Sequence, residues 1–324
     1  MPLERVTIVG AGAWGTALAQ AAALAGREVR LVGRDAAAIA EINARHTNSR
    51  HLGAETLSPA IVASAEFAPA DFVILAVPAQ KSRAALAGLP LAGVPVVLSA
   101  KGLEQDSLKR QSEVLAEAAP GALPFVLSGP SFAADVAAGR PTAVTLAGDD
   151  DGLTAALAAA LAGPGFRPYA AGDRIGVELA GALKNVYALA AGAVEGAGLG
   201  ASARAALIAR AFAELSRIVP ALGGRAETLT GLAGLGDLTL SCTSTQSRNY
   251  SHGVALGRGT ALPTTLAEGV FTAPVAQRLA RMAGVEAPLI EAVNLLLAGG
   301  VTIASIVAGL MARPLRREHS NAAL

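Results

Sequence analysis

The chain has 324 residues, 52% hydrophobic and 16% charged, so it can bury a large core in two domains and lacks the composition of a disordered segment. A formal net charge of +1 and only 3% aromatic residues exclude a basic, aromatic-studded nucleic-acid surface, so any anionic partner must be met by a few placed cations. Cys242 is the single cysteine, and His46, His51, His252 and His319 are scattered, which excludes an intramolecular disulfide and a metal-ligand cluster.

The first element, Val6-Thr7-Ile8-Val9, is a short β-branched strand that meets Gly10, Gly12 and Gly15 in G-x-G-x-x-G spacing. An Ala/Leu-rich helix (16–25) follows. Gly10 permits the tight turn, Gly12 lets backbone N–H groups approach a pyrophosphate, and Gly15 lets helix and strand pack closely. The helix N-terminus offers its unpaired N–H groups and the positive end of its dipole to phosphate. Glycine is common here, at 36 residues, so the spacing alone says little; strand before, helix after and a second strand (28–32) give it the context of a dinucleotide site. The other reading is a structural turn. No basic region or cleavable apolar segment precedes the first strand, so no targeting signal is expected.

At the end of the second strand, a site for NAD places an acidic residue on the ribose 2′-OH. That place falls on Gly33, and the next side chain is Arg34. Arg34 can pair with a 2′-phosphate, which favours NADP over NAD, though a solvated loop arginine is the bland alternative. Asp35 is placed to cap a helix over 36–44.

Three near-continuous apolar strands follow at 72–77, 94–99 and 125–128, separated by helical stretches. Such runs read as a parallel sheet covered on both faces. Ligands in these sheets sit beyond the carboxyl ends of the strands, which puts Pro78, Lys101 and the turn 129–133 on one rim with Gly10 to Gly15. Further edge strands are expected at 143–146 and 167–169, with a helix over 153–162 between them.

From Asp173 onward long helices take over. The predicted fold class is therefore α/β, an N-terminal Rossmann-type, mostly parallel sheet (1–172) with a C-terminal all-helical domain (173–324). The first helix, about 175–194, is apolar except for Glu178, Lys184 and Asn185. Lys184 either snorkels to solvent or is buried, where its ammonium releases a proton more readily. Asp237, in Gly234-Leu235-Gly236-Asp237-Leu238, reads by itself as a turn or cap residue. Ser247-Arg248-Asn249 is a polar cluster that can clasp a phosphate or simply be an exposed loop. A mean hydropathy of +0.47 raises the question of a membrane span. The most apolar candidate, 285–312, carries Glu286, Pro288, Glu291 and Asn294, which argues against one. The tail 313–324 is polar enough to fray.

The motifs Gly10 to Ala19, Ser99 to Glu104, Ser128 to Ala133, Ala182-Leu183-Lys184-Asn185-Val186, Gly234 to Leu238 and Gln246 to Asn249, in this order, resemble bacterial NAD(P)-dependent glycerol-3-phosphate dehydrogenase. The resemblance spans nearly the full length. It implies interconversion of dihydroxyacetone phosphate and sn-glycerol 3-phosphate for phospholipid synthesis, by a cytoplasmic homodimer. It further implies Lys184 as the catalytic acid/base, with substrate held by Lys101, Gly129, Ser131, Lys184, Asp237, Ser247, Arg248 and Asn249. Cofactor contacts fall on Ala13, Trp14, Arg34, Lys101, Ala133, Arg248, Leu266 and Glu268, besides the turn glycines Gly10, Gly12 and Gly15. Asp237 is left between holding a substrate hydroxyl and orienting Lys184. Two loops depart from the family pattern: His51 and Gly53 replace the usual Tyr and Pro, and 261–268 is only loosely similar. Another two-domain reductase of a small carbonyl acid, or a nucleotide-sensing protein without chemistry, would share the plan.

Overall fold

The computed structural model describes residues 3–312. The tail expected to fray lies outside them. Strands β1 (Arg5–Val9), β2 (Glu28–Val32), β3 (Ile61–Ser64), β4 (Phe72–Leu75), β5 (Pro95–Leu98), β6 (Leu123–Ser128), β7 (Thr142–Gly148) and β8 (Phe166–Ala171) form one sheet in the order β3-β2-β1-β4-β5-β6-β7-β8. Every pairing is parallel except β6 with β7. β3 has no counterpart among the strands expected from the sequence. It is a short edge strand whose Val62 faces solvent, so it lacks the long apolar run that marks its neighbours.

Helices α1 (Ala13–Leu24), α2 (Ala36–Arg45), α3 (Ser49–Leu52), α4 (Ser82–Leu86), α5 (Gln111–Ala118), α6 (Ala133–Ala137) and α7 (Asp151–Leu161) connect the strands. Asp35 caps α2 by accepting from the N–H groups of Ala37 and Ala38. The core lies on both faces of the sheet. One side joins Ile8, Leu18, Leu31 and Ile74 to α1 and α7. The other joins Val73, Leu75, Leu86 and Leu115 to Val177 of the helical half.

The chain runs outward through β1, β2 and β3, then crosses back to place β4 on the other side of β1. A crevice opens at that reversal, beyond the carboxyl ends of the strands. Because β1, β4, β5 and β6 run parallel, Gly10, Pro78, Lys101 and Gly129 all emerge on that rim.

The remainder is helical: α8 (Arg174–Gly196), α9 (Gly200–Ala221), α10 (Asp237–Thr243), α11 (Arg248–Arg258), α12 (Glu268–Met282), α13 (Pro288–Ala298) and α14 (Ile303–Met311). α8 is the axis. It is long and apolar enough to cross a membrane, yet every residue from Gly176 to Val194 is buried inside the protein. The stretch 285–312, whose charged residues and proline argue against a span, folds as two short helices, α13 and α14, of 11 and 9 residues.

The abundance of glycine has a specific use where α8 meets α11. A Cβ on Gly192 would lie 2.0 Å from the carbonyl oxygen of Tyr250, and one on Gly253 would lie 2.1 Å from that of Leu189. Gly196 and Gly257 repeat the contact one turn on, at 2.2 and 2.3 Å from Val254 and Ala193 oxygens. Backbone rests on backbone, which only hydrogen side chains allow. The start of α11 is thereby held close to the middle of α8.

Candidate active site

Lys184 does not snorkel. It is buried in the middle of α8, with its Nζ 2.7 Å from Asp237 Oδ1 and 2.5 Å from Ser241 Oγ. Lys101, three residues beyond β5, donates to Asp237 Oδ2 at 2.7 Å and to the Gly129 carbonyl at 2.8 Å. One carboxylate, 1% exposed, thus grips two ammonium groups, each by its own oxygen. Both oxygens of Asp237 are engaged by the lysines, a geometry suited to orienting them, where its local sequence suggests only a turn or cap residue.

The electrostatics of this triad follow from burial. Burial alone would raise the Asp237 pKa, but the charges of Lys101 and Lys184 outweigh it and hold the carboxyl below its usual range. Burial lowers the Lys101 pKa to about 8; the attraction of Asp237 opposes that shift and repulsion from Lys184 adds to it. An ammonium has three N–H donors. Among the described residues each lysine spends two, leaving one for an incoming oxygen.

The other residues expected at the rim are placed around this triad. Gly129 has φ +143°, and a Cβ there would come within 2.8 Å of Val144 Cα. Ser131 donates to the Gly129 carbonyl at 2.9 Å, and Ala133 opens α6. Ser247 caps α11, its hydroxyl accepting from the Tyr250 N–H. Arg248 is exposed, and with Asn249 it begins α11, where first-turn N–H groups have no helical acceptor. The Asn249 side chain is already engaged: its amide donates to Asn185 Oδ1 at 2.9 Å, and its oxygen accepts from the Gly269 N–H. One amide N–H and the backbone N–H of Asn249 are left for an incoming acceptor.

Glu268 ties the start of α12 to the segments that follow β4 and β5. Its Oε1 accepts from the Ala79 N–H at 3.0 Å, just past β4, while a Cβ on Gly102 would lie 2.9 Å from its Oε2. Burial raises its pKa, an effect opposed by the Ala79 N–H and the Arg248 charge. Leu266 is half-buried in the loop leading to α12.

At the turn itself Gly10 has φ +117°, and a Cβ on Gly15 would sit 1.8 Å from the Gly10 carbonyl. Ala13 and Trp14 start α1. Gly33 follows β2 and lies against Ala11, whose Cβ would be 2.7 Å from any Cβ added there. Arg34 is exposed beside it. It lies beyond β2, on the far side of β1 from the lysines.

A dinucleotide fits this rim on two grounds. A Cβ on Gly12 would meet nothing within 4 Å, so its backbone faces open space. Glu268 Oε2 and Trp14 Nε1 are buried polar atoms without a protein partner.

The sequence alone assigns no role to three contributors, although Asn185 stands out there as an amide in an apolar helix. Ser241 is one helical turn after Asp237, an i, i+4 relation that a helix over 237–243 would have exposed. Asn48 donates to the Ala11 carbonyl and the Thr16 hydroxyl, bracing the glycine turn from a distant loop. Asn185 donates to the Lys101 carbonyl at 2.7 Å.

Comparisons with known proteins agree across both halves. The family described as NAD-dependent glycerol-3-phosphate dehydrogenase N-terminus matches residues 5–154, and its C-terminus counterpart matches 173–308. A glycerol-3-phosphate dehydrogenase (NAD(P)+) of Caulobacter vibrioides is 52% identical, covering 98% of this chain and 100% of its own length. One from a Bradyrhizobium species is 53% identical, over 98% and 99% of the two chains. The crystal structure of glycerol-3-phosphate dehydrogenase from Coxiella burnetii superposes with a TM-score of 0.89 at 35% identity, covering 96% of this chain and 99% of that one. The chain belongs to the NAD-dependent glycerol-3-phosphate dehydrogenase family.

Proposed function

We propose that the chain reduces dihydroxyacetone phosphate to sn-glycerol 3-phosphate, reversibly, with Lys184 as proton donor and acceptor. The observation that carries this reading is a buried ammonium and a half-buried one on a single buried carboxylate, each with an N–H to spare. When bound, the reduced nicotinamide supplies hydride to the C2 carbonyl carbon. Lys184 then stabilises the negative charge that builds on the carbonyl oxygen and delivers its proton there. Lys101 adds a second positive charge, and Asp237 holds both lysines in place through their other N–H groups. Arg248 and the first N–H groups of α11 would hold the phosphate, supported by Ser247, Gly129 and Ser131. Binding energy remote from C2 then fixes the geometry of transfer.

The cofactor would rest on Gly10, Gly12, Ala13, Trp14 and Gly15, with Ala133, Leu266 and Glu268 toward the nicotinamide end. NADPH is the favoured form. No side chain fits at Gly33 to hold a ribose hydroxyl, and the Asp35 carboxylate is occupied by the α2 amides and by Arg50. Arg34 supplies a cation for a 2′-phosphate. Residues 1–172 would form the dinucleotide-binding domain and 173–324 the catalytic domain. A homodimer is supported by α14, an uncharged apolar helix without a buried residue, and a reducing cytoplasm by the lone buried thiol of Cys242. Supply of glycerol 3-phosphate for phospholipid synthesis is the role that follows.

The test is cofactor oxidation with dihydroxyacetone phosphate or unphosphorylated dihydroxyacetone, each with NADPH and NADH. Turnover should require the phosphate and favour NADPH. Equal turnover of the unphosphorylated ketone would remove the phosphate clasp from the scheme.

A further inference from the structure

One face of α8 carries both anchors of a single loop of the nucleotide-binding half. Residues 178, 181, 182 and 185 stand at i, i+3, i+4 and i+7, which is one face of a helix. Glu178 is buried, and its two oxygens accept from the Ser112 N–H at 2.8 Å and the Ser112 hydroxyl at 2.7 Å. Ser112 lies in the first turn of α5, so this carboxylate from α8 satisfies the start of a helix in the other half of the molecule. At Gly181 a Cβ would lie 2.5 Å from Ser128 Oγ and 3.7 Å from Lys101 Cγ, so the Lys101 stem passes directly over this glycine. Ala182 packs with Leu103 and Leu108 of the loop and with Val275 and Leu279 of α12. Asn185 holds the Lys101 carbonyl.

The loop between Lys101 and Ser112 is thus fastened to α8 at both ends, about 10 Å apart along the helix axis. It is also held under strain. Leu108 has φ +62°, a left-handed conformation costly for a branched side chain, and its side chain is kept in the cluster with Ala182. Gln111 closes the loop on itself by donating to the Gly102 carbonyl at 3.2 Å.

We propose that Glu178 is a positioning residue for Lys101: by anchoring Ser112 it fixes the register of the 101–112 loop on α8, so that the Lys101 ammonium meets Asp237. Glu178 sits six residues before Lys184 on the same helix. One rigid element therefore carries the proton donor directly and sets the place of the second cation through the loop. The proposal rests on Lys101 acting in the reduction described above.

A double-mutant cycle tests it. Glu178→Ala, Glu178→Gln and Ser112→Ala are made in the full chain, each with Lys101 intact and with Lys101→Ala. The kcat and KM for dihydroxyacetone phosphate and the KM for NADPH are then measured. Glu178→Ala should lower kcat by about tenfold or more and leave the KM for NADPH within about twofold. Glu178→Gln should keep kcat within about threefold, because an amide can accept from the Ser112 N–H and donate to its hydroxyl. With Lys101→Ala in place, Glu178→Ala should cost nothing further, since the group it positions is gone. Ser112→Ala removes the hydroxyl half of the same link and keeps the backbone half, so it should show a smaller loss with the same dependence on Lys101 even if Glu178→Ala does not fold. An equal loss on both backgrounds, or an unchanged kcat, overturns the positioning role while leaving Lys101 in the chemistry. Full turnover by Lys101→Ala alone overturns the assignment of Lys101, and the positioning role with it.

Discussion

At the scale of single residues, the chemistry comes down to a carboxylate shared by two lysines. A buried ammonium is tolerated only when paired, and Asp237 does this for both. Replacing Lys184 with alanine removes the proposed proton donor but touches neither the glycine turn nor Arg34. Turnover should fall by on the order of a hundredfold or more while NADPH binding, followed by fluorescence titration, stays near that of the parent. Lys101 gives a second, independent expectation. Its pKa is lowered to about 8, so it is charged below that pH and loses its proton as the pH rises through it. The kcat/KM for dihydroxyacetone phosphate reduction should therefore decline on the alkaline side of about pH 8. Lys101→Arg, whose guanidinium stays protonated, should move that limb upward or abolish it. A limb unmoved by the substitution would belong to another group.

At the scale of elements, α8 and α11 show how composition becomes geometry. Two glycines on each helix bring the backbones together, and this sets the start of α11, where Asn249 follows Arg248, beside Asn185. Gly253→Ala would drive a methyl group into the Leu189 carbonyl, and the helices would have to separate. We expect a loss of about 1–3 kcal/mol, read as a lower thermal midpoint. The KM for dihydroxyacetone phosphate should rise as well, because Arg248 and the α11 amides shift away from the lysines. A stability loss with unchanged KM would show that the helix contact supports the fold but not the phosphate site. The glycine richness is plain in the sequence. Which glycines face which carbonyls is not, because helical period alone does not say which two helices are neighbours.

At the scale of the whole molecule, the rim where the parallel strands end gathers the glycine turn, Lys101 and Gly129, and the helical half covers it from above. Glu268 and Ala79 join the two halves at this point by a buried hydrogen bond. The other end of the rim, at Gly33 and Arg34, is where the proposed cofactor would place its adenosine. There Arg34→Ala should lower kcat/KM for NADPH by about tenfold and leave that for NADH nearly unchanged. An equal loss with both cofactors would mean that Arg34 acts on the adenine or the protein, not on a 2′-phosphate.

The sequence by itself determined what local rules encode. The glycine turn, the apolar runs of the central strands, the Asp35 cap and the change to helices after Asp173 all follow from neighbours in the chain, where steric and hydrogen-bonding preferences act over a few residues. It also marked Lys184 as anomalous, an ammonium in an apolar helix, without deciding between solvent and burial. That decision needed the tertiary structure. Lys184 meets Asp237 53 residues away, Lys101 meets it at 136, and Glu268 meets Ala79 at 189. Contacts at such separation depend on how helices pack and strands are ordered, and no local pattern specifies them. The antiparallel pairing of β6 with β7, the short edge strand β3 and the role of Asp237 as a shared anchor belong to this second class.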